Sequence, residues 1–403
     1  MGNWESDVAR RPLLTPTAIA NVAFVPTGIV TVLLGPIMPT LAARWSLNDT
    51  QSGDLFFVQF AASTGGVVLS GTLVPRLGHR LVLVLGLIFM AAGVCTLLLG
   101  SWVWGMVSVA GFGFGQGLIV PTGNLLVAEV NPETKASALT LLNFSWSVGA
   151  VACPVLLAPF QRTHRASTFL WVLAGCILLI AVSLPRIVLP PLSRSQQDSA
   201  ASGQSLGSLM KTPAAIALAV LFFTYVGTET AVGGWLASYA KRIMQGAGTM
   251  WVTTPSFFYG GLLSGRIFAP SLLRRIPEVK LARMSMLLAL LGVTGLLASP
   301  SVTGVMVGAV VVGVGLSPIY PIVIALLSHS FGPAAARLGS VMFALAGLGA
   351  GCGPWIVGFT STQMSSLKLG LAVAWLGCAV LIVLLWRNWP APVAAMADGI
   401  DTL

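Results

Sequence analysis

Charged side chains are scarce in this sequence. Only 8% of its 403 residues are Asp, Glu, Lys or Arg, whereas a typical soluble domain carries about 25%. Hydrophobic residues make up 56% of the chain, and the mean hydropathy is +0.91. Such a chain has too few polar residues to cover a core with a hydrated surface. We therefore expect an integral membrane protein.

Cysteine and histidine are also rare, and their positions argue against the usual metal and disulfide sites. The five cysteines form no CxxC pair and all fall in apolar runs, so we interpret them as small core residues. The three histidines lie near the ends of predicted helices, which argues against a histidine proton relay: His79, His164 and His329. No nucleotide-binding Walker sequence or nucleophile–base pair is present. We predict no enzymatic activity, no metal and no cofactor.

Long apolar runs fill most of the chain. Each is about twenty residues long, the length of a helix that crosses a hydrocarbon core, and none alternates as a membrane β-strand does. We predict an all-α membrane protein with twelve transmembrane helices, at roughly 14–43, 50–74, 81–100, 103–129, 136–160, 168–189, 212–240, 250–271, 281–299, 302–328, 335–360 and 366–387.

A polar, serine-rich segment, 190–211, separates the first six predicted helices from the last six. Its composition is typical of a flexible linker, so we predict two six-helix bundles, 1–189 and 212–403. Two pairs of glycine-containing segments repeat in the same order in both halves: Gly113–Pro121 with Gly313–Pro321, and Gly65–Gly71 with Gly260–Gly265. A duplicated six-helix unit is a common plan for transporters, with the substrate site near the membrane midplane between the halves.

Basic residues are distributed unevenly between the two predicted faces. Of the 21 Lys and Arg residues, roughly fifteen fall on the face that holds both termini, among them Arg76, Arg80 and Arg266, and cytoplasmic helix ends are enriched in such residues. We predict a multi-pass protein of the inner (plasma) membrane with cytoplasmic termini. The net charge of +10 is then a consequence of topology, and we expect no nucleic-acid partner.

The segment after the second predicted helix carries a family motif. Gly71-Thr-Leu-Val-Pro-Arg-Leu-Gly-His-Arg80 resembles the G-x-L-x-D-R-x-G-R-K loop of the major facilitator superfamily. The resemblance implies that family's fold, with transport by alternating access, and it assigns a conformational role to Gly71, Arg76, Gly78 and Arg80. Pro75 stands where the family has an acid that helps to hold the inner side closed. Charges nearby, Glu129 among them, could replace it or could simply be solvated helix ends.

A narrower resemblance indicates a substrate class. Three segments are similar to patterns of the fucose permease-like sugar symporters: Phe57–Phe60, Tyr225–Trp235 and Gly315–Pro321. The resemblance implies transport of a monosaccharide such as glucose, galactose or fucose. It also implies proton-coupling acids in the first and fourth helices. The first helix here offers only Asn21, Thr27 and Thr31, and the position in the fourth is Gln116, so proton coupling, sodium coupling and uncoupled facilitation all remain open.

Polar and aromatic residues in the middle of the predicted helices are candidates for a sugar site. A sugar needs amide or hydroxyl partners and a flat aromatic wall, because an unpaired buried polar group costs about 1–3 kcal/mol. We predict substrate contacts from Gln59, Gln116, Asn143, Trp146, Thr228, Glu229, Trp235 and Tyr320. For the amides the alternative is a hydrogen bond between helices. For Trp235 the alternatives are a lid and an interface anchor.

Glu229 is the one acid deep inside a predicted helix. A charge at the bilayer centre costs at least about 2.5–3.5 kcal/mol, so this residue needs a reason to be there. Three roles are open: coupling through a bound proton or sodium ion, binding of the substrate, and a structural hydrogen bond. We predict a monomeric monosaccharide transporter. The alternatives are an exporter of drugs or other amphipathic compounds on the same fold, and a non-transporting receptor or scaffold.

Overall fold

The computed structural model describes residues 15–184, 206–244, 248–387 and 389. These residues form helices α1 (Pro16–Val32), α2 (Leu34–Trp45), α3 (Asp49–Thr96), α4 (Trp102–Val130), α5 (Lys135–Arg162), α6 (Ala166–Ser183), α7 (Leu206–Met210), α8 (Pro213–Ile243), α9 (Met250–Leu273), α10 (Glu278–Ala298), α11 (Val302–Leu316), α12 (Ile319–Phe331), α13 (Ala335–Gln363) and α14 (Leu367–Leu385). A short 3₁₀ turn, Gly332–Ala334, joins α12 to α13. Most of the predicted linker, 190–205, lies outside the described residues, so the limits of the two halves stay a prediction.

Local sequence explains where several helices begin. The Asn48 side chain accepts a hydrogen bond from the Gln51 N–H, and the Gln51 side chain accepts one from the Asn48 N–H. This reciprocal capping box satisfies two donors that the first turn of α3 would otherwise leave open. At the start of α8, the Thr212 hydroxyl caps the helix and Pro213 occupies its first position, where a missing N–H costs nothing.

The helices account for the twelve predicted membrane-crossing segments. Within the described residues, nine helical segments are long and apolar enough to cross a membrane, and ten if α1 and α2, which meet at a bend of 43°, are counted as one. The 48 residues of α3 would span more than twice a hydrocarbon core of about 30 Å at about 1.5 Å per residue. These ten segments include α3 once and do not include α9. Counting the two parts of α3 separately gives eleven segments, and adding the 24-residue α9 gives twelve.

The two parts of α3 are separated at Gly78, and not by the loop of 75–80 that the sequence predicts. Helical hydrogen bonding continues on both sides, but Gly78 has φ 78° and ψ 159°. Only glycine adopts this backbone conformation without strain. The motif glycine therefore marks the break between the second and third membrane-crossing segments.

The internal repeat is confirmed by equivalent helix packing in the two halves. In the first half, a Cβ on Gly113 of α4 would overlap the carbonyl oxygen of Gln59 on α3. In the second half, a Cβ on Gly313 of α11 would overlap the carbonyl oxygen of Phe258 on α9. Glycine lets these backbones touch. The same close approach joins α1 to α5 at Gly149 and α8 to α13 at the position 200 residues later, Gly349.

Three helix pairs form most of the contact between the two halves. Helix α3 packs along α13, α5 packs along α9, and α2 packs against α8. We call the face that carries the connections 46–48, 97–101, 163–165, 299–301 and 364–366 the outer face, following the predicted orientation, and the opposite face the inner face. A site in the centre of the molecule is bounded by α1, α3, α4 and α5 of the first half and by α8, α9 and α12 of the second.

Candidate functional site

Four helices of the first half bring a hydrogen-bonded polar network to the centre. The Gln59 amide nitrogen donates to the Thr31 carbonyl at 3.0 Å and to the Gln116 side-chain oxygen at 3.3 Å. The Thr31 hydroxyl accepts from the Gln116 amide at 3.1 Å and from the Trp146 indole N–H at 3.3 Å. Three predicted residues therefore lie together, and Thr31 joins them. We call these four residues the amide network.

The amide network has one unused acceptor. Gln59 is fully buried, and its side-chain oxygen has no hydrogen-bond partner within the described residues. A buried amide oxygen without a donor is costly, so this atom favours a nearby hydroxyl group. Thr31 and Gln116 also stand in the two helices where the sugar symporter resemblance implies coupling acids. The network there is neutral.

The second half contributes a charged cluster. The Tyr225 hydroxyl donates a short hydrogen bond to Glu229 Oε2, one helical turn away on α8. The guanidinium of Arg266 on α9 approaches the same oxygen to 3.9 Å, and Tyr225 interacts with Arg266 as well. The ring of Tyr320 on α12 packs on Tyr225, with ring centroids 6.0 Å apart. The positive charge of Arg266 thus lies beside the negative charge of Glu229 and offsets part of the free-energy cost of placing that carboxylate inside the membrane.

The prediction for Arg266 as a topology determinant at the inner end of α9 is wrong. The residue lies roughly 10 Å before the end of α9, by a helical rise of about 1.5 Å per residue, and its head group reaches Glu229. A signal was available in the sequence: Ile267, Phe268 and Ala269 follow it, so the apolar run continues past the charge.

A narrow cleft joins the amide network to the charged cluster. It is lined by three residues of α5 in the first half and three of α9 in the second: Trp146, Ser147, Ala150, Tyr259, Leu262 and Arg266. Trp146 belongs to the amide network, and Arg266 belongs to the charged cluster. The cleft is too narrow to hold a water molecule in this structure, so a ligand could occupy it only after the two halves move apart, and it would then contact both of them.

The remaining predicted substrate residues lie farther from the cleft. Asn143 is exposed and its amide donates to the Leu139 carbonyl of its own helix; it lies one turn from Trp146, on the same face of α5. Thr228 is buried against Gly377 of α14, one residue from Glu229 and on another face of α8. Neither joins the hydrogen-bond networks described above, and both stay predictions.

Trp235 is neither an exposed lid nor an interface anchor in this conformation. It is 1% exposed, its indole N–H donates to the Pro354 carbonyl at 2.9 Å, and its ring lies 6.1 Å from that of Phe56 in the other half. Trp235 therefore fills the space between the halves on the outer side of the charged cluster. It lies on α8 between Glu229 and the outer end of that helix.

The outer ends of the two halves are joined by polar contacts. Both carboxylate oxygens of Asp49 on α3 accept from the Arg242 guanidinium of α8, at 2.9 and 2.5 Å. The Ser361 hydroxyl of α13 donates to Asp49 at 2.5 Å, and the Trp355 indole of the same helix donates to Asp54 at 2.9 Å. We call Asp49, Arg242 and Ser361 the outer latch. Together with Trp235, it closes the outer side of the molecule.

The inner face carries the motif residues. Gly71 and Arg76 are exposed on the last turns before the break at Gly78, and Arg80 follows it. The Glu129 carboxylate lies 3.0 Å from His79 Nε2 and joins α4 to α3. That contact lies within the first half, so it does not replace the family's missing acid as a contact between the halves.

A larger, open pocket of about 310 Å³ lies away from the centre, between the outer ends of α2, α3 and α6. Its lining includes Arg44 and His164, and it lies within the first half alone. A site within one half is not exposed in turn to each side when the halves rock. The narrow cleft between α5 and α9 is therefore the candidate substrate site.

Comparison with known proteins agrees with this architecture. The family model described as Major Facilitator Superfamily matches residues 21–336. A glucose/galactose transporter of Brucella abortus biovar 1 (strain 9-941) is 27% identical over 355 residues, which cover 82% of this chain and 84% of that protein. Among solved structures, a D-xylose-proton symporter superposes with a TM-score of 0.74 at 15% identity, covering 93% of this chain and 97% of the other. The Escherichia coli fucose:proton symporter gives 0.61 at 18% identity, covering 92% and 97%.

Proposed function

The chain belongs to the major facilitator superfamily, and on that basis we propose that it transports a monosaccharide, glucose or galactose foremost, by alternating access. The observation that carries the proposal is the cleft in which Trp146 of one half faces Arg266 of the other, with the amide network behind it. An aromatic face with convergent amide and hydroxyl groups suits a sugar ring and its hydroxyls. The relative from Brucella abortus, named as a glucose/galactose transporter, supports the same substrate class.

The proposal includes the setting of the transporter. It is a multi-pass protein of the plasma membrane with both termini in the cytoplasm, and it acts as a monomer whose halves, joined by residues 190–211, rock about the cleft. In this structure the outer latch is formed and Trp235 is buried, so the outer side of the cleft is closed. Neither the comparisons nor the described residues favour an exporter of amphipathic compounds or a non-transporting receptor.

Coupling is assigned to Glu229. It is the one carboxylate in the middle of a membrane-crossing segment of the described chain, and two named solved neighbours are proton symporters. Protonation of Glu229 would remove the attraction to Arg266 across 3.9 Å and so change the charge balance of the cleft. A sodium ion bound at the carboxylate would have the same effect on the charge.

Uptake by purified protein in liposomes tests the transport proposal. Radiolabelled glucose, galactose, fucose and xylose are offered with an inward proton gradient, with an inward sodium gradient, and with neither. We expect saturable uptake of at least one hexose, driven above equilibrium by the proton gradient. Absence of saturable uptake of every sugar under all three conditions would refute the proposal.

Glu229→Gln tests the coupling role. An amide cannot release a proton, so we expect the variant to lose accumulation against a concentration gradient while keeping sugar exchange across the membrane. Glu133→Gln, at an exposed inner-face carboxylate, is the matched control and should keep both activities. Equal loss of accumulation and exchange in a folded Glu229→Gln protein would show a ligand role instead, and loss of neither would show a structural one.

A further inference from the structure

Arg266 is a cation inside a site for which the proposed substrate is neutral. Its guanidinium lines the cleft between α5 and α9, and its side chain is 30% exposed, against 14% for Glu229. A neutral sugar does not require a guanidinium, because hydroxyl groups are served equally well by the amides already present. Arg266 compensates the charge of Glu229, and its position in the lining of the cleft also makes it available to a ligand.

The contact between the two charges is loose. The separation of 3.9 Å between Arg266 Nη2 and Glu229 Oε2 exceeds the 2.7–2.9 Å typical of a charge-assisted hydrogen bond. The hydrogen bond to that oxygen comes from Tyr225 instead. Arg266 also hydrogen-bonds with Tyr225, but a guanidinium has five N–H donors, so one such bond leaves donors for a ligand while the carboxylate cancels the charge at short range.

A sugar acid is the ligand whose chemistry suits those donors. A hexuronate has the ring of a hexose with a carboxylate at C6, and a guanidinium binds carboxylates through two parallel hydrogen bonds. Ionised Glu229 would oppose this binding, because it would place two carboxylates beside one cation. Neutral Glu229 would leave Arg266 uncompensated in a site of low polarity, where an anion is the favoured partner.

We propose that hexuronates are a second substrate class of this cleft, bound by Arg266 when Glu229 carries no charge and excluded when Glu229 is ionised. This inference rests on the proposed sugar transport through the same cleft. It makes Glu229 the residue that sets the charge selectivity of the site and Arg266 the residue that contacts the acid group. One proton would enter with each hexuronate, and the occupied site would then hold one cation and one anion.

Glu229 is the carboxylate that faces Arg266 within the described residues. The other titratable side chains that interact with this pair are Tyr225 on α8, Tyr259 on α9 and Tyr320 on α12. Tyrosine and arginine ordinarily keep their protons below about pH 8. A pH effect on hexuronate binding below about pH 8 would therefore not come from these tyrosines or from Arg266.

Equilibrium binding of labelled glucose and glucuronate to the purified protein tests the proposal. In wild type we expect the ratio of glucuronate to glucose affinity to rise as the pH falls, by up to about tenfold per pH unit, the limit for one linked proton. In Glu229→Gln the ratio should be at least about tenfold higher than in wild type near pH 7.5, which corresponds to about 1.4 kcal/mol, and should no longer depend on pH. In the double variant Glu229→Gln, Arg266→Gln, the ratio of glucuronate to glucose affinity should fall back to the wild-type value or below it.

Glu278→Gln is the matched control, because it removes a carboxylate on the inner face that pairs with His329 at 3.7 Å, outside the cleft. It should leave the affinity ratio as in wild type. A pH-independent ratio in wild type, or an unchanged ratio in folded Glu229→Gln, would overturn the proposal while leaving glucose transport intact. If Glu229→Gln does not fold, the wild-type pH series decides alone. Absence of glucose and galactose binding at every pH would instead refute the proposed function.

Discussion

The outer latch predicts that Asp49→Asn shifts the protein toward an outward-open conformation. In the present conformation Asp49 accepts two hydrogen bonds from Arg242 and one from Ser361, and all three connect the halves. Opening of the outer side requires these bonds to break. The substitution weakens them in the closed state alone, so the equilibrium between the two conformations should move.

The size of the shift follows from the exposure of the pair. The Arg242 side chain is 49% exposed, and exposed ion pairs contribute only about 0.2–1 kcal/mol. Asp49 is more buried, at 14%, and a hydrogen bond to a charged group contributes about 1.5–3 kcal/mol, part of which an asparagine oxygen retains. We expect a total of about 1–2 kcal/mol, which is a factor of about 5–30 in the ratio of outward-open to closed protein.

Labelling of a buried cysteine measures this ratio. Ser256 on α9 is buried, and its hydroxyl donates to the Val151 carbonyl on α5, so a cysteine there is reached from outside only when the halves separate. In a background without the native cysteines, Ser256→Cys is treated with a membrane-impermeant maleimide. Asp49→Asn should raise the labelling rate by the same factor of about 5–30 if opening is fast relative to the reaction.

The control is Glu133→Gln, an equivalent loss of charge at the inner face, where Glu133 is exposed. It should not raise the labelling rate. An unchanged rate in Asp49→Asn, with normal elution from a sizing column and sugar binding intact, would show that the latch does not hold the outer side closed.

The fold was largely predictable because a membrane leaves the backbone few choices. Every N–H and C=O in hydrocarbon must be bonded within the segment, so apolar runs of helical length identify helices directly. The exception was the connection near Gly78. The sequence predicts a loop there. In the structure, helical residues lie on both sides of Gly78, and this single residue, with φ 78°, breaks the helix. Hydropathy does not distinguish a loop from a one-residue break.

The site was predictable in part, because polar residues are scarce in the helices. Gln59 and Gln116 were found on that ground and do lie together. Thr228 is equally polar and central but faces α14. A helix that is apolar all around gives little information on which face is turned to the centre, so sequence reasoning could identify the depth of these residues better than their direction.

Arg266 was missed for a different reason. Its charge near the end of a predicted helix fits the enrichment of basic residues at cytoplasmic ends. What places it in the site is the length of its side chain, which extends from α9 to Glu229 on α8. Such a pair depends on the distance and rotation of two helices, and neither quantity is encoded by the composition of one of them.

Two further predictions separate binding from packing. Gln116→Leu removes an amide that belongs to the amide network. We expect the KM for sugar uptake to rise about tenfold, which corresponds to a loss of about 1.4 kcal/mol of binding free energy. The control is Gln161→Leu, at a buried amide on the outer side, which should leave KM unchanged. Gly117→Val should lower the unfolding temperature by at least about 5 °C, because its Cβ would overlap the Ser63 carbonyl oxygen and backbone cannot be repacked as a side chain can. The control is Gly175→Val, which adds the same side chain where nothing lies within 4 Å of the added Cβ and should change the unfolding temperature less. If a thermal unfolding scan shows the same loss of stability in both valine variants, the argument for close backbone packing between α3 and α4 is contradicted.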